Sequence, residues 1–260
     1  MTEGFVDRFA PVAARYADCR PTYPPALYAW LASTAPDRRL AWDCATGSGQ
    51  AARDLAVHFE HVIATDASAA QIGRAPPTPG IEYRVAAAES SGLAAESTDL
   101  ITVAQALHWF AIDRFFAECA RVLKPGGVLA VWSYGPLQID GDPATNTLVQ
   151  RYYQEIVGPY WPAERALVDE RYASVCLPFP ELGAPAFAMR VAWPLEKLLG
   201  YLGTWSAAAA YHAAVGTDPL DLIRGDLWAA WGGPEVKRHI VWPLVVRVAR
   251  KPAAGSNHSP

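Results

Sequence analysis

Between residues 40 and 134, apolar runs and polar breaks alternate in a rhythm that predicts strand, helix, strand. Residues 40–43 form a short apolar run closing on a carboxylate. A turn of small residues follows through Gly49, and AARDLAVHF then carries its apolar residues at helical spacing. HVIATD is a second apolar strand ending in Asp66. Ser68 is a good N-cap for the short helix of ASAAQIGRA, APPTPG is a turn-rich link, and IEYRVAAAES is the third strand. Residues 99–105, DLITVAQ, form the fourth. In the next segment Phe115, Phe116, Cys119, Val122 and Leu123 recur at helical spacing and mark a core face. Lys124-Pro125-Gly126-Gly127 ends that helix, and VLAVWSY is the fifth strand.

On either side the rhythm changes. Upstream, residues 5–16 and 25–34 read as helical patches separated by CRPTYPP, whose prolines require an extended link. Downstream, residues 136–184 read as a cap inserted after the fifth strand, with a loop at PLQIDGDPATN, a helix in TLVQRYYQEIVGPYW and an irregular remainder. AFAMRVAW reads as a strand, LEKLLGYLGTW and PLDLIRGDLWAAW as helices, and VKRHIVWPLVVRVARK as a long closing strand in which Pro243 predicts an edge or a bulge. The whole predicts one α/β domain over residues 1–250. It consists of a helical cover at 1–36, a core at 37–135, the cap, closing elements at 185–250 and a polar tail at 251–260.

The chemistry concentrates at the first turn. Gly47 and Gly49 lack a Cβ, so the backbone there can take positive φ and a ligand can press against it. The first amides of the next helix point to a seat for something charged or polar. Asp43 stands at the carboxyl end of its strand, where open α/β sheets bind ligands, and Asp66 falls where nucleotide-binding βαβ units place a ribose-binding carboxylate. Three readings of this turn compete. GSGQAA also fits the G-x-G-x-x-A dinucleotide fingerprint, which makes an NAD(P)-binding oxidoreductase a rival, although an acid four residues before the first glycine does not suit it. A glycine turn with nothing bound is the bland alternative.

The acid pair around the glycine turn resembles motif I and the following acidic strand end of class I S-adenosylmethionine-dependent methyltransferases, with Ala45 at the first glycine position of the family pattern. QALHWF (105–110) and the R-P-x-Y-P string from Arg20 resemble trans-aconitate-methyltransferase-like proteins, and RVLKPGG before an apolar strand is frequent in the class. The resemblance implies a Rossmann-like, seven-stranded, mostly parallel sheet with helices on both faces and a final antiparallel strand beside the fifth. It implies S-adenosylmethionine as cofactor, held by Tyr16, Asp43, Ala45, Gly47, Gly49, Asp66, Ala67, Ser68, Gln71, Glu89 and Gln105. The methyl acceptor then meets His108 and Trp109, with Arg20 as an anion anchor, and no metal is needed. A carboxylate acceptor needs only a polar clamp, whereas a hydroxyl or ring nitrogen profits from a base, for which His108 has a suitable intrinsic pKa. A methyltransferase-like binding protein without turnover is a further alternative.

Composition narrows the partners. The chain has 260 residues, 52% hydrophobic and 18% charged, with a formal charge of −4 and no stripe of Lys and Arg, which weighs against nucleic acid. No cationic leader opens the chain and no run of about 18 apolar residues occurs, so a cytoplasmic protein without membrane contact is expected. Cys19, Cys44, Cys119 and Cys176 have no metal-ligand spacing. Most of the ten tryptophans and 22 prolines lie beyond residue 132. A loop-rich aromatic cap of that kind suits a small-molecule substrate, with Trp161, Trp205 and Trp228 as pocket walls or plain core.

Overall fold

The computed structural model describes residues 21–253, so Tyr16, Cys19 and Arg20 lie outside the described residues. In chain order the elements are α1 (Pro25–Thr34), β1 (Leu40–Cys44), α2 (Gln50–Leu55), β2 (His61–Asp66), α3 (Ala69–Ile72), β3 (Ile81–Val85), β4 (Thr98–Ala104), α4 (Ile112–Val122) and β5 (Leu123–Tyr134). The chain continues through β6 (Gln138–Ile139), α5 (Pro143–Arg151), α6 (Ala166–Asp169), β7 (Glu181–Leu182), β8 (Ala188–Trp193), α7 (Leu195–Gly203), α8 (Ser206–Val215), α9 (Arg224–Trp231) and β9 (Arg238–Arg250).

Two compact units result. One holds residues 23–134, 167–187 and 244–253. Its sheet runs β3-β2-β1-β4-β5-β9, with β1 to β5 parallel and β9 antiparallel against β5 from Val128↔Arg250 to Tyr134↔Leu244. The antiparallel strand beside the fifth is therefore where the resemblance placed it. On one face α4 lays down Phe115, Phe116, Cys119 and Val122 against Trp42, Ile101, Val103, Leu129 and Val131. On the other face Tyr28 of α1 packs edge-on to Trp132 at 6.2 Å. Each large side chain buried this fully contributes about 1.5–3 kcal/mol.

Among the described residues nine strands are hydrogen-bonded instead of seven. The two additions, β6 and β7, are two residues long, and strands that short leave no alternating pattern to read. Lys124-Pro125-Gly126-Gly127 is not a link between helix and strand but an irregularity inside β5: Thr98 pairs with Leu123 and Leu100 with Val128, so these four residues bulge opposite Asp99. Asp99 is fully buried and organises the bulge by accepting from Lys124 Nζ at 2.6 Å and from the amides of Arg39 and Leu40.

The second unit holds residues 135–166 and 188–243. Here β8 and β6 pair with the first half of β9, and Pro243, opposite Ala188, is the last residue before β9 takes up β5. Its missing N–H therefore costs the β5 ladder nothing. Trp161 and Trp205 meet at a tilt of 46° with centroids 5.7 Å apart beside Tyr153, and Arg165 covers Trp161 at 4.8 Å, so these rings build this unit's interior. Trp228 is partly exposed. The helix α8 has no counterpart in the sequence reading because its alanine-rich SAAAAYHAAV carries no amphipathic stripe. Residues 167–184, expected with the cap, pack in the unit that carries the parallel sheet.

Candidate active site at the carboxyl ends of the first and fourth strands

Strand order reverses between β1 and β4, which both flank the turn after Cys44. Such a switch point opens a crevice at the strands' carboxyl ends. Asp43 is 1% exposed. Its carboxylate accepts from the Thr46 hydroxyl at 2.5 Å and from the Thr102 hydroxyl at 2.8 Å, which pins the turn to β4. Burial pushes its carboxyl up to about 6. The two hydroxyls counteract that rise, and the neighbouring charge of Asp66 adds to it.

The turn itself is wound through left-handed backbone at Ala45 (φ 55°), Gly47 (φ 59°) and Gly49 (φ 82°). Ala45 holds this conformation although it has a Cβ. A Cβ on Gly49 would lie 2.5 Å from Tyr83 Oη, so only glycine fits there, whereas a Cβ on Gly47 would meet no atom within 4 Å. Space for a ligand therefore opens over Gly47. The amides of the turn itself are bonded within the protein. Thr46 N donates to Thr65 O, Gly49 N to Thr46 O, and Gly47 N to Asp66 Oδ2 at 2.9 Å. With α2 only six residues long, a helix dipole adds little. Asp66 accepts a second amide, Ser68 N, on Oδ1 at 2.8 Å, so this half-buried carboxylate joins the two loops. Ser68 caps α3 by accepting from Gln71 N, and Ala67 is exposed between them.

At the end of β4, Gln105 also takes a left-handed conformation (φ 56°), donating its amide to Trp132 O and Nε2 to Tyr134 O. The chain then makes a single turn, Leu107–Trp109, that buries His108 and leaves Trp109 half-buried against it, with ring centroids 4.7 Å apart. Because Cys44 pairs with Val103, the QALHWF string continues just past the level at which the glycine turn begins. Glu89 Oε1 accepts from Ala111 N, directly after the QALHWF string, and caps α4. The structure thus bonds Gly47 and Ser68 to Asp66, ties Asp43 to the turn through Thr46, brings Gln105 and His108 to the same sheet edge, and gives Glu89 a helix to cap. Sequence reasoning missed Thr46, Thr102, Tyr83 and Tyr172. A polar residue inside the apolar run LITV marks Thr102, but nothing local marks Tyr172, whose hydroxyl lies 3.0 Å from His108 Nδ1.

Relatives agree with this arrangement. Residues 42–131, the span from β1 to β5, match the family described as Methyltransferase domain. A Dictyostelium discoideum protein named as a methyltransferase is 36% identical over 229 residues, covering 87% of each chain. A methyltransferase from Aspergillus candidus is 32% identical over 188 residues, covering 63% of this chain and 59% of its own. A solved structure from Anaeromyxobacter dehalogenans, named as a type II methyltransferase, superposes with a TM-score of 0.84 at 45% identity, covering 90% of this chain and 99% of its own. With the acid-flanked glycine turn at the switch point of its sheet, the chain belongs to the class I S-adenosylmethionine-dependent methyltransferases.

Proposed function

We propose that the protein methylates a small-molecule acceptor at the carboxyl end of β4, with a carboxylate as the favoured acceptor class. The observation that carries this reading is the placement of His108 and Trp109 at the sheet edge next to the glycine turn. The net charge of −4 and the lack of a basic stripe support a small molecule over a nucleic acid, and the likeness of QALHWF to trans-aconitate-methyltransferase-like proteins supports the carboxylate.

The site fits the family's cofactor on its own evidence. The space over Gly47 is open, and Asp66 keeps a half-buried, oriented carboxylate of the kind that accepts ribose hydroxyls. Asp43, Gly47 and Asp66 would hold the cofactor, with Ser68 and Gln71 flanking the base. When bound, S-adenosylmethionine supplies a methyl group activated by a sulfonium. The protein's own contribution is to hold the acceptor in line and exclude water, an effect that reaches several kcal/mol. His108 orients the acceptor by a hydrogen bond or takes its proton. A carboxylate needs only the former.

Calorimetric titration tests the cofactor half: S-adenosylmethionine is expected to bind wild type, and Asp66→Ala to lose at least about tenfold in affinity, since two amides and a ribose lose their partner. Unchanged affinity in Asp66→Ala would overturn the assigned geometry. A panel of small carboxylic acids and phenols, read by release of S-adenosylhomocysteine, tests the acceptor. Methylation of phenols with carboxylic acids left untouched would overturn the carboxylate assignment. Cofactor binding with no turnover on either class favours a binding protein.

A further inference from the structure

Tyr172 lies 64 residues from His108 in sequence and is fully buried, with its hydroxyl 3.0 Å from His108 Nδ1 and its ring stacked on the imidazole at 6.3 Å and 28°. Ordinary packing does not require its backbone conformation. Arg171 and Tyr172 both take left-handed φ, 57° and 54°, a conformation that costs non-glycine residues on the order of 1–3 kcal/mol each and persists only where the surroundings over-determine it.

Those surroundings are specific. Arg247 Nη1 donates to the carbonyls of Tyr172 at 2.5 Å and Val175 at 2.6 Å, and the other arm of the guanidinium pairs with Glu181. Glu181 and Leu182 also ladder onto β9, and Tyr172 N donates to Leu167 O at 2.7 Å. Strained backbone, a guanidinium spanning two carbonyls and a short strand all serve to deliver one phenol to one imidazole.

We propose that Tyr172 is a positioning residue for His108. It occupies Nδ1 and holds the imidazole in one tautomer and one orientation, its hydroxyl donating to or accepting from Nδ1 accordingly, and so directs any hydrogen bond or proton exchanged with the methyl acceptor through Nε2. Which nitrogen of a histidine carries the proton is set by the hydrogen bond the other makes. The inference rests on the reading that His108 meets the acceptor.

Tyr172→Phe keeps the stacked ring and removes the oxygen. In full-length protein carrying 15N-labelled histidine, with the His108 signals assigned through His108→Gln, wild type is expected to show the widely separated ring-nitrogen shifts of a single tautomer. In Tyr172→Phe the two shifts move toward each other, the signature of a tautomer mixture. Arg247→Met, which releases the carbonyls without touching the imidazole, moves them in the same sense and answers the question if the first variant does not fold. Unchanged His108 shifts in the variants that fold would overturn the proposal. S-adenosylmethionine titrated into the same samples keeps the two questions separate. Failure of wild type to bind would sink the methyltransferase mechanism and leave the grip of Tyr172 on His108 standing, whereas normal binding with unmoved shifts would sink only the role of Tyr172.

Discussion

At Asp43 the demands of folding and of the proposed cofactor binding oppose each other. Its carboxyl, raised by burial from 3.8 to about 6, holds a proton more tightly in the folded chain than in the unfolded one. Its contribution to stability is therefore fully present below about pH 4 and lost as pH rises through 6, amounting to about 3 kcal/mol at most. Affinity for a cationic nucleoside has the opposite sign, because only the ionised acid attracts it, so binding is expected to weaken as pH falls below about 6. Asp43→Asn should flatten both dependences, measured by thermal unfolding and by titration across that range. The two glycines of the turn separate in the same manner. Gly49→Ala forces Tyr83 off the turn and should destabilise the fold by more than about 1 kcal/mol. Gly47→Ala meets no neighbour, so its stability loss is confined to the cost of its φ, and its main effect is lost cofactor affinity. Equal stability losses in the two variants would contradict the open space over Gly47.

Among the elements, α4 shows how a helix can serve the site from behind it. Its apolar face fills one side of the sheet, its amino end is capped by Glu89, and near its far end Glu118 accepts from Ser91 N, Ser91 Oγ and Arg121. Led by the Arg121 hydrogen bonds, these contacts hold the Glu118 carboxyl down at about 2. The depressed value means that the stabilisation is present above the ordinary carboxyl pKa of 4.5 and is lost as pH falls toward 2, opposite in slope to Asp43. Glu118→Gln is expected to cost about 1–3 kcal/mol at neutral pH, with the difference from wild type vanishing as pH approaches 2 in urea titrations. A penalty that persists undiminished in acid would mean that shape, and not charge, is what Glu118 provides. The helix was legible from its spacing alone. Its anchoring was not, because Ser91 and Glu118 are 27 residues apart.

For the whole molecule, the sheet is completed by residues at the chain's end. The last seven residues of β9 pair with a β5 whose residues from Val128 to Tyr134 are all buried. Stopping the chain after Pro243 would leave that strand an exposed apolar edge, and such a protein is expected to aggregate on expression. Soluble, monomeric truncated protein would show that β9 is dispensable. Arg247 lies in the same stretch, so the truncation also frees Tyr172. Among the described residues, no helix is long and apolar enough to cross a membrane.

The strands and helices of the parallel core follow from local information. Apolar spacing, Ser68 as a cap, glycines with no Cβ and an acid at each strand end are properties of neighbouring residues, and they placed Asp43, Gly47, Asp66 and QALHWF before any fold was known. Contacts that require chain closure were decided only in three dimensions. The burial that raises Asp43, the pressure of Tyr83 on Gly49, the bulge around Asp99 and the reach of Tyr172 to His108 each join residues distant in sequence. A hydrogen bond across such a distance leaves no periodicity in the chain, because what selects its partners is the geometry of the completed sheet.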